Sequence, residues 1–235
     1  MPSPGELGKA IRAVFRSFAA EEGFFFRKPT LLLRDRQDTL HIIAFDRGLA
    51  GFACDIAIQP LYMPYDFFAL SLGARVTRFR VDLRERWLYG EDDPDTLFRN
   101  LSQALDLVRR NALPWFDEAG SPAKLVSFIE SGASTDPSYG LQCPPFLQEK
   151  YLAFSYLYLG RHQDAERSFR KLAEGLSGNQ FAKKEEEQAR AMELLVRTDP
   201  EAAMQRLMTH IKETRENLRL DSHKGPGSTA RSRGH

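Results

Sequence analysis

The chain has 235 residues, of which 42% are hydrophobic and 28% charged, a composition typical of a globular protein that buries a sizeable core. Lysine and arginine total 33 and aspartate and glutamate total 32, so no overall charge favours nucleic acid or an anionic membrane surface as a partner. No apolar run approaches the roughly 18 residues of a membrane span, and the first residues lack the basic and apolar segments of a secretory signal.

The first predicted helix begins at residue 3. Ser3, Pro4 and Glu6 together have the pattern of a capping box with proline in the first turn. Apolar residues then recur at helical spacing through Phe18. Gly23 is suited to the left-handed conformation that ends many helices, so we predict that this helix stops there.

Three strands of an antiparallel sheet are predicted next. Residues 30–34 and 40–45 are apolar runs on either side of a polar loop, which predicts a hairpin. Residues 52–59 alternate between two faces, and Pro60 ends that strand because it has no amide hydrogen to donate. Since residues 40–45 are apolar on both faces, we place them at the centre of the sheet.

The segment that follows residue 60 is rich in aromatic residues, namely Tyr62, Tyr65, Phe67 and Phe68. Exposed aromatic residues are used by some proteins to stack nucleic-acid bases. Here no lysine or arginine alternates with them, so we favour a loop that covers the core.

Residues 76–87 have the clearest period of two in the chain and predict a long strand. Its outer face carries mostly arginine: Arg78, Arg80, Asp82, Arg84 and Arg86. Guanidinium groups suit carboxylates and phosphates, and we expect His41, Asp55 and Gln59 of neighbouring strands to lie on the same side. The predicted ligand or partner surface is therefore His41, Asp55, Arg78, Arg80 and Arg84. The alternative is a solvated face that protects the sheet from aggregation.

The remainder of the chain is predicted to be helical. Asp93-Pro94 begins a helix that Pro114 closes, and Ser121-Pro122 begins a shorter helix that Gly132 ends. The residues after Asp221 contain no apolar side chain larger than alanine. We predict a sheet domain over residues 1–132, a linker over 133–144, a helical subdomain over 145–220 and a disordered tail over 221–235.

Residues 151–173 have the pattern of one tetratricopeptide-repeat hairpin. Such a repeat needs small residues where its helices cross and large apolar residues where it grips its neighbours. Gly160 fits the turn and Ala165 the crossing position, while the large positions are Tyr151, Tyr156 and Phe169. No second copy is detectable, so we expect later helices or the sheet to complete the packing. The alternative is a generic helical hairpin docked on a neighbouring domain.

The N-terminal region also resembles a known family. The residues that carry the resemblance are Ile11–Phe18, Gly23-Phe24 with Arg27-Lys28, Ile42–Phe45, Phe52–Gln59 and the arginine-rich strand ending at Trp87. Over roughly residues 5–130 the chain resembles the uncharacterised bacterial family called domain of unknown function 4304. It departs from that family at Asp46-Arg47-Gly48, where members are more polar. The resemblance implies a bacterial origin and no established catalytic residues.

Common signatures of cofactor chemistry are missing from the sequence. It contains no GxxxxGK[ST], GxGxxG, HExxH or paired CxxC motif, so we expect neither a cofactor nor a metal ion. Cys54 and Cys143 lie far apart, which favours free thiols in the cytoplasm over a disulfide.

Together these patterns predict an α+β protein. We expect an N-terminal α-β-β-β-β-α domain with an antiparallel sheet, followed by an all-helical, tetratricopeptide-like subdomain. The favoured function is non-enzymatic binding of another protein, as in an adaptor or immunity protein. The alternative is an enzyme or small-ligand-binding domain with a pocket between sheet and helices, using His41, Asp55, Arg78 and Arg80. Binding of nucleic acid is disfavoured by the balanced charge.

Overall fold

The computed structural model describes residues 3–49, 51–78, 87–88, 95–136 and 143–221. An antiparallel sheet is followed by a helical region, so the predicted α+β class is confirmed. After helix α1 (Pro4–Glu22), the strands are β1 (Phe25–Lys28), β2 (Leu31–Asp35), β3 (Thr39–Arg47), β4 (Gly51–Pro60), β5 (Gly73–Arg75) and β6 (Trp87–Leu88). The later helices are α2 (Asp95–Leu107), α3 (Leu113–Ala119), α4 (Pro122–Glu130), α5 (Pro145–Tyr158), α6 (His162–Leu176), α7 (Lys183–Thr198) and α8 (Pro200–Asn217).

Helix α1 has the predicted ends. The amide of Glu6 donates to Oγ of Ser3 at 3.2 Å, and the amide of Ser3 donates to a carboxylate oxygen of Glu6 at 2.6 Å. This reciprocal pair satisfies two amides that the first turn leaves without helical partners. Gly23 has a φ of 72°, a conformation that glycine adopts without steric cost.

The strands pair in the order β1-β2-β3-β4-β5, with β6 beside β5 on the same edge of β4. Strand β1 was not predicted.

The predicted strand over residues 76–87 is wrong at its start. Val76 still donates to the Cys54 carbonyl at 2.9 Å, but Arg78 then donates to the Arg75 carbonyl at 2.9 Å and closes a turn. Residues 79–86, with Arg80, Asp82, Arg84 and Arg86, lie outside the described residues.

Both faces of the central strands β3 and β4 are buried. One face packs against α1 and the later helices through the main core, which includes Phe15, Ile43 and Ile56. The opposite face is covered by the loop after β4 and by the end of α8. Its core consists of Leu31, Leu33, Leu40, Ile42, Ala57, Leu61, Leu218 and Leu220, with Phe68 packed against them. The predicted central position of residues 40–45 follows from this double burial.

The helix that was predicted to stop at Pro114 continues through it. Helix α2 passes into a π-helical segment, Val108–Ala112, and then into α3, where Pro114 occupies the first turn. A proline lacks the amide that an interior helical position would need, and the first turn is the place where this loss costs least. Because α3 begins directly after the π-helical segment, Pro114 falls in the first turn of a new helix and not in the interior of α2.

Helices α5 to α8 form a closed ring. Helix α5 packs on α6, α6 on α7, α7 on α8, and α8 returns to α5. Gly160 has a φ of 72° in the turn between α5 and α6, as the hairpin prediction requires. The later helices therefore complete the hairpin, while its relation to tetratricopeptide repeats stays a prediction.

The helical ring is docked on the sheet region through buried hydroxyl groups. The Tyr62 hydroxyl lies 2.8 Å from Oγ of Ser155, and the Tyr151 hydroxyl lies 2.7 Å from Oγ of Ser71. One hydrophobic core runs through both regions. The predicted domain boundaries stay a prediction. Residues 137–142 of the predicted linker and residues 222–235 of the predicted tail lie outside the described residues.

Candidate functional site

His41 lies on β3, directly across from Arg34 of β2, and is 2% exposed. The Arg34 guanidinium donates to Nδ1 of His41 from 3.0 and 3.2 Å. Nε2 of His41 lies 3.2 Å from the Gly120 carbonyl oxygen, to which it donates once Nδ1 is the acceptor. The ring also stacks on Phe116 with a centroid distance of 4.6 Å.

These contacts keep His41 neutral. Burial, together with the positive charge of Arg34, lowers its pKa from 6.5 to about 3. Both ring nitrogens are engaged, so His41 has no free nitrogen to accept a proton from a substrate. Its role is to hold the turn between α3 and α4 against the sheet, together with Thr39, whose hydroxyl donates to the same Gly120 carbonyl at 2.6 Å.

A pocket of about 280 Å³ opens beside His41. Its charged lining residues are two cations and two anions: Arg36, Lys124, Asp38 and Asp117. The charges of the lining are therefore balanced, and both nitrogens of the histidine beside it are hydrogen-bonded.

The other predicted members of the sheet surface do not converge with His41. Asp55 pairs with Ala44 and therefore points to the opposite face of the sheet, where it lies 3.5 Å from Arg75. Gln59 is buried on that same face and holds the following loop, because its amide bonds the carbonyl of Phe67 and the amide of Ala69. Arg78 is exposed in the turn after β5. Arg80 and Arg84 lie outside the described residues.

The three large residues of the predicted hairpin are engaged inside the protein. Phe169 is fully buried and packs edge-on against Phe154, with ring centroids 5.1 Å apart. The Tyr156 hydroxyl donates to Glu130 at 2.6 Å. Tyr151 bonds Ser71, as described above. Because all three hold neighbouring elements together, we assign them to packing.

A larger cleft of about 630 Å³ lies between the loop after β4 and the helical ring, and we call it the Lys150 cleft. Its walls come from that loop and from α5, α7 and α8. The lining residues are Pro64, Tyr65, Asp66, Phe67, Lys150, Lys184, Glu185, Gln188, Glu213, Thr214 and Asn217.

The walls of the Lys150 cleft are fixed to each other by hydrogen bonds. Oγ1 of Thr214 on α8 donates to the Met63 carbonyl at 3.1 Å and accepts from the Tyr65 amide at 3.4 Å. The next residue of the same helix, Arg215, donates to Asp35 of β2 at 2.6 Å. Hydrogen bonds therefore connect the loop directly to α8, and α8 to the sheet, beside the cleft.

Of the charged residues that line this cleft, Lys150 is the least exposed to solvent. It is half-buried, and its ammonium nitrogen lies 5.6 Å from the centre of the Tyr65 ring. Burial lowers the pKa of Lys150, and the Glu185 carboxylate acts in the opposite direction. Lys150 is a candidate binding residue because its charge is half-buried and lies in the lining of the cleft.

Sequence reasoning missed this cleft. Lys150 is the single basic residue of α5, whose other residues are mostly apolar, and this contrast was the available signal. The wall opposite Lys150 is the aromatic loop after β4. The prediction that this loop covers the core is correct, since Tyr62 is fully buried, although Phe67 is 60% exposed. Only the packing of the two segments against each other creates the site.

Comparisons with protein-family models, with curated proteins and with solved structures each find no match to this chain. The resemblance over residues 5–130 therefore stays a prediction. Among the described residues, no three or more histidine, cysteine, aspartate or glutamate side chains are grouped to hold a metal ion. None of the described helices has both the length and the apolar character needed to cross a bilayer.

Proposed function

We propose that this protein is a non-enzymatic protein-binding module of the adaptor or immunity type, and that its partner binds in the Lys150 cleft. The observation that carries this proposal is the cleft itself, which has a volume of about 630 Å³ and presents the exposed ring of Phe67 at its edge. Its walls come from two regions of the chain and are held by hydrogen bonds. A site that is formed before binding loses little conformational entropy when a partner enters.

The rim of the cleft offers an aromatic anchor. Phe67 is 60% exposed, although its neighbour Tyr65 is half-buried and the two rings are 5.8 Å apart. In protein interfaces a few side chains that the partner covers completely carry most of the binding energy, and aromatic residues are prominent among them. Covering Phe67 with an apolar side chain of a partner would remove this surface from water.

A role as an enzyme has less support. The alternative predicted from the sequence placed His41 in a pocket between sheet and helices, and such a pocket is present. Both nitrogens of His41 are hydrogen-bonded, and burial holds its pKa at about 3, so it is unsuited to general base catalysis near neutral pH.

The two cysteines of the chain are buried and free, which supports a location in a reducing compartment such as the cytoplasm.

The proposal is tested by selecting peptides from a random library displayed on phage against the full chain. Selected peptides are synthesised and titrated against the wild type, Phe67→Ser and Phe98→Ser. Phe98 is a matched control, because it is 46% exposed on α2 and does not line the cleft. We expect Phe67→Ser to weaken binding at least tenfold and Phe98→Ser to leave it unchanged. Selected peptides that bind the Phe67→Ser variant as well as the wild type would contradict the proposal.

A further inference from the structure

The inference concerns what the Lys150 cleft recognises, and it rests on the proposed function. Lys150 carries its positive charge at a half-buried position, with the Tyr65 ring against one side of the ammonium group. Among the described residues, no carboxylate forms an ion pair with its nitrogen at 4.0 Å or less, although Glu185 is near enough to favour the charged ammonium. An ammonium group has three donors, so this one has donor capacity that faces the cleft.

The acidic residues of the cleft are more exposed to water than Lys150. Asp66, Glu185 and Glu213 are exposed at the rim, together with the basic residue Lys184. The half-buried charge of the cleft is therefore positive, and its exposed charges sum to a net negative value. A strongly acidic segment would be repelled by this rim, whereas a single acid flanked by a basic residue matches both parts of the cleft.

The apolar wall adds a third requirement. Phe67 presents an exposed ring at the edge of the cleft, and Tyr65 extends this aromatic surface inward to Lys150. An apolar side chain next to the acid would lie against these rings while the carboxylate reaches the ammonium group. Charge-assisted hydrogen bonds of this kind are shorter and stronger than neutral ones.

We infer that the partner is a protein that inserts an aspartate or glutamate side chain into the cleft, where its carboxylate accepts hydrogen bonds from Nζ of Lys150. An apolar residue close to the acidic residue packs on Phe67, and a basic neighbour faces Glu185 and Glu213 at the rim. The recognised segment thus contains an apolar, an acidic and a basic side chain within one short stretch of the partner.

Two blocked peptides test this inference on the full-length chain. Acetyl-Phe-Asp-Lys-amide and acetyl-Phe-Asn-Lys-amide differ only in whether the central side chain is a carboxylate or an amide. Their dissociation constants are measured by NMR titration of the labelled protein. We expect the aspartate peptide to bind about tenfold more tightly, since the ion pair forms in a partly desolvated site. Equal affinities for the two peptides would overturn the inference.

Variants of the protein distinguish a specific contact with Lys150 from non-specific electrostatic attraction between the peptide and the protein. Lys150→Gln is expected to remove the preference for aspartate. Lys183→Gln, a control that removes the same charge from an exposed position outside the lining, is expected to keep it. Thermal unfolding of both variants shows whether they fold, and a glutamine at position 150 relieves the burial of a charge. A preference for aspartate that survives in folded Lys150→Gln would overturn the inference.

Two further outcomes are distinguishable. A peptide with asparagine and a free C-terminal carboxylate that binds more tightly than the aspartate peptide would show recognition of a chain end, which contradicts the side-chain assignment. If phage-selected peptides depend on Phe67 but bind without any acidic residue, this inference fails and the proposed function stands. If selected peptides are indifferent to Phe67, the proposed function itself fails.

Discussion

The ammonium nitrogen of Lys150 lies 5.6 Å from the centre of the Tyr65 ring, and this contact joins helix α5 to the loop that follows β4. The two residues belong to regions that the sequence predicts as separate domains. Their meeting places a half-buried positive charge between an aromatic surface and an acidic rim. Binding in this cleft would therefore depend on how firmly the helical ring is docked on the sheet region.

The titration of Lys150 checks the electrostatics of the cleft. Because burial lowers its pKa, we expect Lys150 to lose its proton below its ordinary value of 10.5. Glu185→Gln is expected to lower that pKa further, since the Glu185 carboxylate favours the charged ammonium. NMR of the labelled lysine side chains follows the titration, with Glu216→Gln as an exposed control on α8. A Lys150 pKa at or above 10.5 would contradict the described burial.

The docking of the two regions is tested at Tyr62 and Ser155. Tyr62→Phe removes the hydroxyl that lies 2.8 Å from Oγ of Ser155 and leaves the serine buried without that partner. We expect each single variant, Tyr62→Phe and Ser155→Ala, to lower the free energy of unfolding by about 1–3 kcal/mol. The double variant should cost less than the sum, because each single change already breaks the same bond. Strictly additive losses in urea denaturation would show that the two hydroxyls are not coupled.

Gly120 is expected to tolerate no larger residue. A Cβ atom at this position would overlap with the carbonyl oxygen of Phe116 and the ring of His41, both of which are buried. Gly120→Ala should therefore destabilise the protein by about 2 kcal/mol, as overpacking of a core does. Gly175→Ala is the control, since that site on α6 has no atom near the new methyl group and alanine favours helix. Denaturation midpoints that rank the two variants in the opposite order would contradict the packing around Gly120.

The pH dependence of stability tests the burial of His41. Its folded-state pKa is lowered from 6.5 to about 3, so between these values the unfolded state binds a proton that the folded state does not. The free energy of unfolding should therefore be highest above pH 6.5 and fall as the pH is lowered towards 3. Between pH 6 and pH 4.5 the loss from this residue should be about 2 kcal/mol, given 1.36 kcal/mol per unit.

His41→Gln provides the control for this prediction, because it removes the titrating ring and keeps an amide with a donor and an acceptor. We expect the variant to be less stable at pH 7 but to lose about 2 kcal/mol less than the wild type between pH 6 and pH 4.5. The carboxylates titrate equally in both proteins, so their contribution to the pH dependence of stability cancels when the two are compared. Identical slopes for the two proteins would show that His41 is accessible to protons in the folded state.

The elements that depend on local chemistry were predictable from the sequence. The capping box of Ser3 and Glu6 specifies the start of α1 through residues three apart, and the apolar runs of β2 and β3 specify a hairpin. The prediction that the helix ends at Pro114 was wrong because a π-helical segment, which has no sequence signature of its own, precedes this proline and a new helix begins there. The strand over residues 76–87 failed at Arg78, since alternation of side chains does not reveal where a turn closes.

The sites depend on contacts between distant segments and were less accessible. The hairpin register alone places Arg34 opposite His41, but the Gly120 carbonyl that completes this cluster comes from 79 residues away. Asp55 was expected beside His41, yet the pairing of β3 with β4 places it on the other face. The Lys150 cleft required the packing of α5 against the aromatic loop, which no periodicity in either segment specifies.

The most direct test of the account is to map by NMR where a phage-selected peptide binds on the full chain. The account predicts that backbone amide signals of Tyr65 and Phe67 in the loop, Lys150 on α5 and Thr214 on α8 shift together and saturate at one dissociation constant. Shifts confined to the pocket beside His41, or to helix α2 around Phe98, with no change at Lys150, would contradict the assignment of the Lys150 cleft as the partner site.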